Sequence, residues 1–89
     1  MEQYPVPIHM LSLCDPEGKM RPVRFQMETA EHTLETVSVS QVLSTHGISY
    51  VGVEAMVYLC KAVMGNRERI FELRYGVKSH RWVLQRMVS

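Results

Sequence analysis

The sequence predicts an all-β chain, a small antiparallel meander of about six strands curled into a partly open barrel. Three observations carry this expectation. Nineteen residues are β-branched, twelve of them Val, against three Ala, and branched side chains suit a pleated, half-buried surface. Residues 22–29 alternate strictly, with Val23, Phe25 and Met27 set against Arg24, Gln26 and Glu28, the period of a strand that buries one face. The connections in the second half are short and even, so a single apolar face runs across several strands. A chain of 89 residues has room for one core, and residues 1–89 are read as a single small domain.

The elements follow in order. Residues 8–14 form a first strand, closed by Asp15-Pro16-Glu17-Gly18, where Asp bonds its own backbone, Pro presets φ and Gly takes a left-handed position. Pro22 lacks the N–H a ladder needs, so the strand over 22–29 begins at an edge or a bulge. Residues 36–43 alternate again, Val37 and Val39 against Thr36, Ser38 and Ser40. Residues 44–52 contain Gly47 and Gly52 and read mostly as loop, with a short extended piece at 48–51.

Residues 54–64 admit two readings. As a helix they place Met56, Leu59, Cys60 and Val63 on one face, with Gly65 as a C-terminal cap. As a strand they lead into Gly65-Asn66, whose leading Gly suits a two-residue type II′ turn. The strand is preferred because it makes a register: Ala62 faces Arg69, Cys60 faces Phe71, Tyr58 faces Leu73 and Met56 faces Tyr75. Directly opposed residues share a face, so Met56, Tyr58, Cys60, Phe71, Leu73 and Tyr75 gather on one side. A four-residue loop at 77–80 extends that face, with Tyr75 opposite Trp82 and Leu73 opposite Leu84. The same register places Arg86 opposite Phe71.

Arg21-Pro22-Val23-Arg24-Phe25, the run from Gly65 through Asn66-Arg67-Glu68-Arg69-Ile70-Phe71-Glu72-Leu73-Arg74 to Tyr75, and Trp82-Val83-Leu84 resemble a group of short uncharacterised bacterial all-β proteins. The resemblance implies an all-β fold and carries no activity, cofactor or catalytic residue.

Charge is near neutral at +1 but unevenly spread, with the acids concentrated in the first half and the Lys and Arg in the second. The opening residues lack the basic start and apolar run of a secretory signal. No stretch approaches the roughly 20 apolar residues of a membrane helix. Two unpatterned Cys and seven Met fit a reducing cytoplasm, and the expected location is cytoplasmic.

The chemistry-bearing residues do not assemble into a catalytic signature. His9, His32, His46, His80, Cys14 and Cys60 stand in no pair with metal-ligand spacing, so no metal and no cofactor is expected. Cys60 falls on the core face, where burial disfavours the thiolate. Glu68 and Glu72 read as solvated cross-strand partners, Glu72 with Lys61 or Arg74. No phosphate loop or nucleophile elbow is present, and no enzyme is expected.

Two surface features are sharper. The register brings Arg67, Arg69 and Arg86 to one face near one end of the sheet, a candidate anion grip. The reverse face carries Val57, Leu59, Val63 and Ile70, a candidate partner surface unless residues 1–14 or 44–54 cover it. The expected function is therefore a non-catalytic binding or assembly module acting through protein–protein contacts, self-association included. The alternative is a nucleic-acid-binding small β-barrel using the basic C-terminal half, with Tyr50, Tyr75 and Trp82 to stack bases and Lys78, His80 and Arg81 beside them.

Overall fold

The apolar face built across residues 56–84 is the inner face of a curled sheet. A computed structural model describes residues 4–89. It contains seven strands and, among the described residues, no helix: β1 (Val6–Pro7), β2 (His9–Cys14), β3 (Met20–Glu28), β4 (Leu34–Tyr50), β5 (Val53–Met64), β6 (Arg67–Gly76) and β7 (Trp82–Met87). All pairings are antiparallel, in the order β1-β7-β6-β5-β4-β3-β2. The edge strands β1 and β2 are separated in sequence only by Ile8. One stretch of chain therefore serves both edges of the sheet, and the meander curls into a partly open barrel.

The hairpin register holds. Met56, Tyr58, Cys60 and Ala62 oppose Tyr75, Leu73, Phe71 and Arg69. Gly65 takes a φ of 63° while Asn66 does not enter the left-handed region, the pattern of a type II′ turn. Across the next connection Tyr75 faces Trp82 and Leu73 faces Leu84, and the Gly76 amide donates to the Arg81 carbonyl at 2.9 Å. Inner-face rows then cross the barrel wall. One runs Val42, Cys60, Phe71, Met87, and the next runs Thr45, Tyr58, Leu73, Leu84, Val6.

These rows are the core. Phe25, Val37, Cys60, Ala62, Phe71, Leu73 and Leu84 are sealed from solvent, with Tyr58 and Trp82 nearly so. Phe25 and Phe71 meet edge to face with centroids 5.8 Å apart, a favoured aromatic geometry. Around them pack Met10, Met20, Met27, Met56, Met64 and Met87. Flexible thioethers fill the irregular gaps a strongly curved sheet leaves.

The described residues form seven strands where about six were expected, and the all-β, partly open barrel holds. Two expectations need correction. Residues 44–52 are not mostly loop, for β4 runs unbroken to Tyr50 and only Val51-Gly52 turn, at φ 50° and 79°. Gly47 misleads because it is an ordinary strand residue: it opposes Met56 in the ladder, its φ stays out of the left-handed region, and a Cβ there would meet the Met56 sulfur at an ordinary contact distance of 3.5 Å. Last, Arg86 does not face Phe71. The ladder slips between Glu72 and Leu73, leaving Gln85 as an extra residue on β7, so that Met87 opposes Phe71 and Arg86 opposes Glu72. Such a bulge flips every side chain beyond it. It puts an apolar Met where a guanidinium would otherwise have to be buried.

Truncating the centre of this core should be costly. Phe71→Ala is expected to lower unfolding stability by about 3–5 kcal/mol, and Leu34→Ala on an exposed position by less than about 0.5 kcal/mol. Urea unfolding followed by circular dichroism measures both.

Candidate functional site

The Gln85 bulge decides the fate of the arginine trio. Arg67 and Arg69 oppose Met64 and Ala62 and so lie at one end of the inner face. Arg69 is half-buried and committed. Its Nε donates to the Ser89 main-chain oxygen at 3.0 Å, and its Nη2 lies 3.9 Å from the Met87 sulfur. Arg86 emerges on the outer face and meets Glu72 through two parallel contacts of 3.2 Å. That fork-on-carboxylate geometry uses the donors an anion would need. The structure thus brings Arg67 and Arg69 together and sets Arg86 apart. Glu72 is partnered by Arg86 rather than by Lys61 or Arg74.

The outer-face aliphatics are located as the register places them, with unequal exposure. Leu59 and Ile70 are half-buried and Val63 is 41% exposed, but Val57 is 5% exposed. Val57 sits between His46 on β4 and Arg74 on β6 and presents little surface to a partner. Residues 4–14 do not lie over this face. Val6–Pro7 pair with β7 and His9–Cys14 with β3, and residues 44–50 are the neighbouring strand. Among the described residues, neither segment weighed as a cover for Leu59, Val63 and Ile70 fills that role; residues 1–3 of the first lie outside them. Leu59 lies beside Ser44 and Glu72, and Ile70 beside Lys61, an apolar patch threaded with charge.

The aromatic residues separate. Tyr58, Tyr75 and Trp82 form one inner cluster, Trp82 standing 5.3 Å from Tyr58 and 5.1 Å from Tyr75 between centroids. The Tyr58 hydroxyl donates to the Met20 carbonyl at 3.0 Å, and the Tyr75 hydroxyl pairs with His80 Nδ1 at 2.8 Å. Burial raises the Tyr58 hydroxyl above its ordinary pKa, with Cys60 and Tyr75 adding to the effect. Beside this cluster a cavity of about 550 Å³ opens between the start of β3 and the middle of β4, lined by Met20, Thr45, Met56, Tyr58 and Tyr75. Tyr50 stands away from the cluster at the β4–β5 tip, 74% exposed.

Cys60 is fully buried, and burial pushes its thiol up to about 12. It has no thiolate to offer near neutral pH. Cys14 is free and exposed. No group of three or more His, Cys, Asp or Glu stands close enough to hold a metal ion among the described residues.

One arrangement escaped the sequence reading. A shallow groove of about 500 Å³ on the outer face is lined by Arg74, Lys78 and Arg81 with Glu54, between the β6–β7 loop and the β4–β5 tip. The signal was present in Lys78 and Arg81, but joining them to Arg74 requires knowing that the Val51-Gly52 turn packs beside that loop. The Val77 amide donates to the Glu54 carbonyl at 3.0 Å and fixes the two turns together.

Two outcomes follow for the cysteines. A thiol reagent at mildly alkaline pH should label Cys14 in the native protein and reach Cys60 only on unfolding, counted by mass spectrometry. Because the folded pKa of Cys60 is raised from an ordinary 9.0 to about 12, the unfolded chain releases this proton first. Its contribution to stability is present below that ordinary value and is lost as pH rises through the folded one. Cys60→Ala should flatten that part of the alkaline stability profile.

In comparisons with known proteins, no family model, no curated protein and no solved structure matches this chain.

Proposed function

We propose that this chain is a non-catalytic binding or assembly module of the cytoplasm that acts through protein–protein contacts. The observation that supports it most is the aliphatic patch of Leu59, Val63 and Ile70 on the outer face of β5 and β6, over which no described strand lies. A barrel that needs only to fold places polar residues there, because its core is already complete on the inner face. Apolar groups rimmed by Lys61, Glu68 and the Glu72–Arg86 pair match the make-up of a protein-binding surface.

A second reading, nucleic-acid binding through the basic C-terminal half, draws on the groove with Arg74, Lys78 and Arg81. Three cations along one groove suit a phosphate backbone. The apolar patch favours the first reading, since phosphate recognition gives Leu59 and Ile70 no role.

Affinity capture with the intact chain and with a Leu59→Lys/Ile70→Lys variant discriminates the two. Under the first reading a captured protein is lost from the variant while its circular dichroism spectrum is retained. Under the second, oligonucleotide binding falls steeply with added salt and is abolished in Arg74→Ala/Lys78→Ala/Arg81→Ala. Retained protein capture by the Leu59→Lys/Ile70→Lys variant would sink the first reading.

A further inference from the structure

We infer that the outer edge of β4 over residues 44–50 pairs antiparallel with the same edge of a second copy of this chain, joining two barrels through one continuous sheet. The inference rests on the reading of the chain as an assembly module, and adds to its outer-face patch a second contact, made by an edge with a second copy.

The first support is an open ladder. β3 pairs with β4 only from Arg24↔Ser38 to Glu28↔Leu34. The strands then part, and Pro22, without an N–H, stands on the β3 side of the gap. Past Ser38, β4 has β5 on one side and no described strand on the other. Its outward N–H and C=O groups form a template for a further strand.

The second support is the absence of protection where that edge is most regular. Earlier along β4 the ladder to β5 slips at Ser40 and at Leu43, and bulges of this kind blunt an edge. From Ser44↔Leu59 to Tyr50↔Val53 the pairing is regular. Residues 36–53 contain no Asp, Glu, Lys, Arg or Pro, so neither charge nor proline guards the edge.

The third support is the tip beyond it. Val51 is 84% exposed and holds a φ of 50°, a conformation costly for a β-branched side chain, where Asn suits the turn far better. Tyr50 is 74%, Val53 51% and Ile48 38% exposed. Folding of the hairpin explains none of these apolar side chains.

The occupant follows from the same residues. A strand laid antiparallel to itself about a two-fold axis is self-complementary, and an uncharged one brings no like charges together. Ile48 and Tyr50 share the outer face with Ser44 and His46. Pairing lays each copy's Ile48 and Tyr50 beside the other copy's edge and covers apolar surface that one barrel leaves bare. The two edge strands are poorer templates: β2 is six residues long with a slip in its ladder at Leu11/Ser12, and β1 is two residues long.

Sedimentation equilibrium across a wide concentration range, with hydrogen exchange read at both ends of it, tests the inference. The expected result is a monomer–dimer equilibrium in which amides within residues 44–50 gain protection as dimer forms and those of β2 do not. Ile48→Lys, or Ser44→Lys should the first fail to fold, is expected to weaken the dimer about tenfold or more. Leu11→Lys on β2 should leave it unchanged. A monomer at every concentration overturns the inference, as does a dimer indifferent to both β4 variants or one whose protected amides lie in β2. A monomer whose protein capture is still lost in Leu59→Lys/Ile70→Lys would overturn the edge pairing alone and leave the module reading standing.

Discussion

The pairing of β5 with β6 is the constraint on which the rest of the barrel depends. Ten opposed pairs from Ala55↔Gly76 to Met64↔Arg67 run without a slip, pinned by a Gly65 whose left-handed φ few other residues tolerate. Because opposed residues share a face, that single hairpin decides which side of the chain is inside. A displacement by one residue would turn Cys60, Phe71 and Leu73 outward together. Every other strand is added to a face already chosen: β4 brings Val37 and Val42, β3 brings Phe25, and β7 brings Trp82 and Leu84.

Irregularity is confined to strands farther out, and it serves composition. At Gln85 the slip exchanges Arg86 for Met87 on the inner face and allows Arg86 to meet Glu72. The slips at Ser40 and Leu43 let one long strand follow the curvature while returning Val42 and Thr45 to the inside. Curvature bought with extra residues on the outer strands is how a small sheet closes round side chains as large as Phe25, Phe71 and Trp82.

The legible part of the fold was the part with local rules. Two tight connections of even length sufficed to read the central rows, because period-two alternation and turn geometry reinforce one another there. The Asp15 turn was equally plain: its carboxylate accepts from the Glu17 and Lys19 amides at 3.0 and 2.8 Å. Bulges were not legible, since an extra residue such as Gln85 has no compositional mark and shows only in what it does to its neighbours. That is why Arg86, expected beside Arg67 and Arg69, lies apart from them, while Val57, Leu59, Val63 and Ile70 keep the face that the β5–β6 register gives them. Glycine misled for a related reason, for Gly47 and Gly52 look alike in sequence, yet one is a regular strand residue and the other, at a φ of 79°, reverses the chain. The groove of Arg74, Lys78 and Arg81 depends on two turns meeting in space, which no spacing along the chain records.

The seam at Ile8 has a consequence for how the molecule opens. Val6 and Pro7 hold β7 by two residue pairs, while the Ile8 amide reaches the Trp82 carbonyl at a long 3.3 Å. This short clasp joins the two ends of the chain, so closing it carries a large entropic cost for few bonds. Its hold on β7 rests as much on the packing of Val6 and Ile8 against the core as on those few bonds. When it parts, the outer edge of β7 is bared and the inner row ending at Val6 loses its final member, while the hairpin at the centre stays shut. The barrel thus closes along one line, and that line is fixed by the single residue between its first two strands.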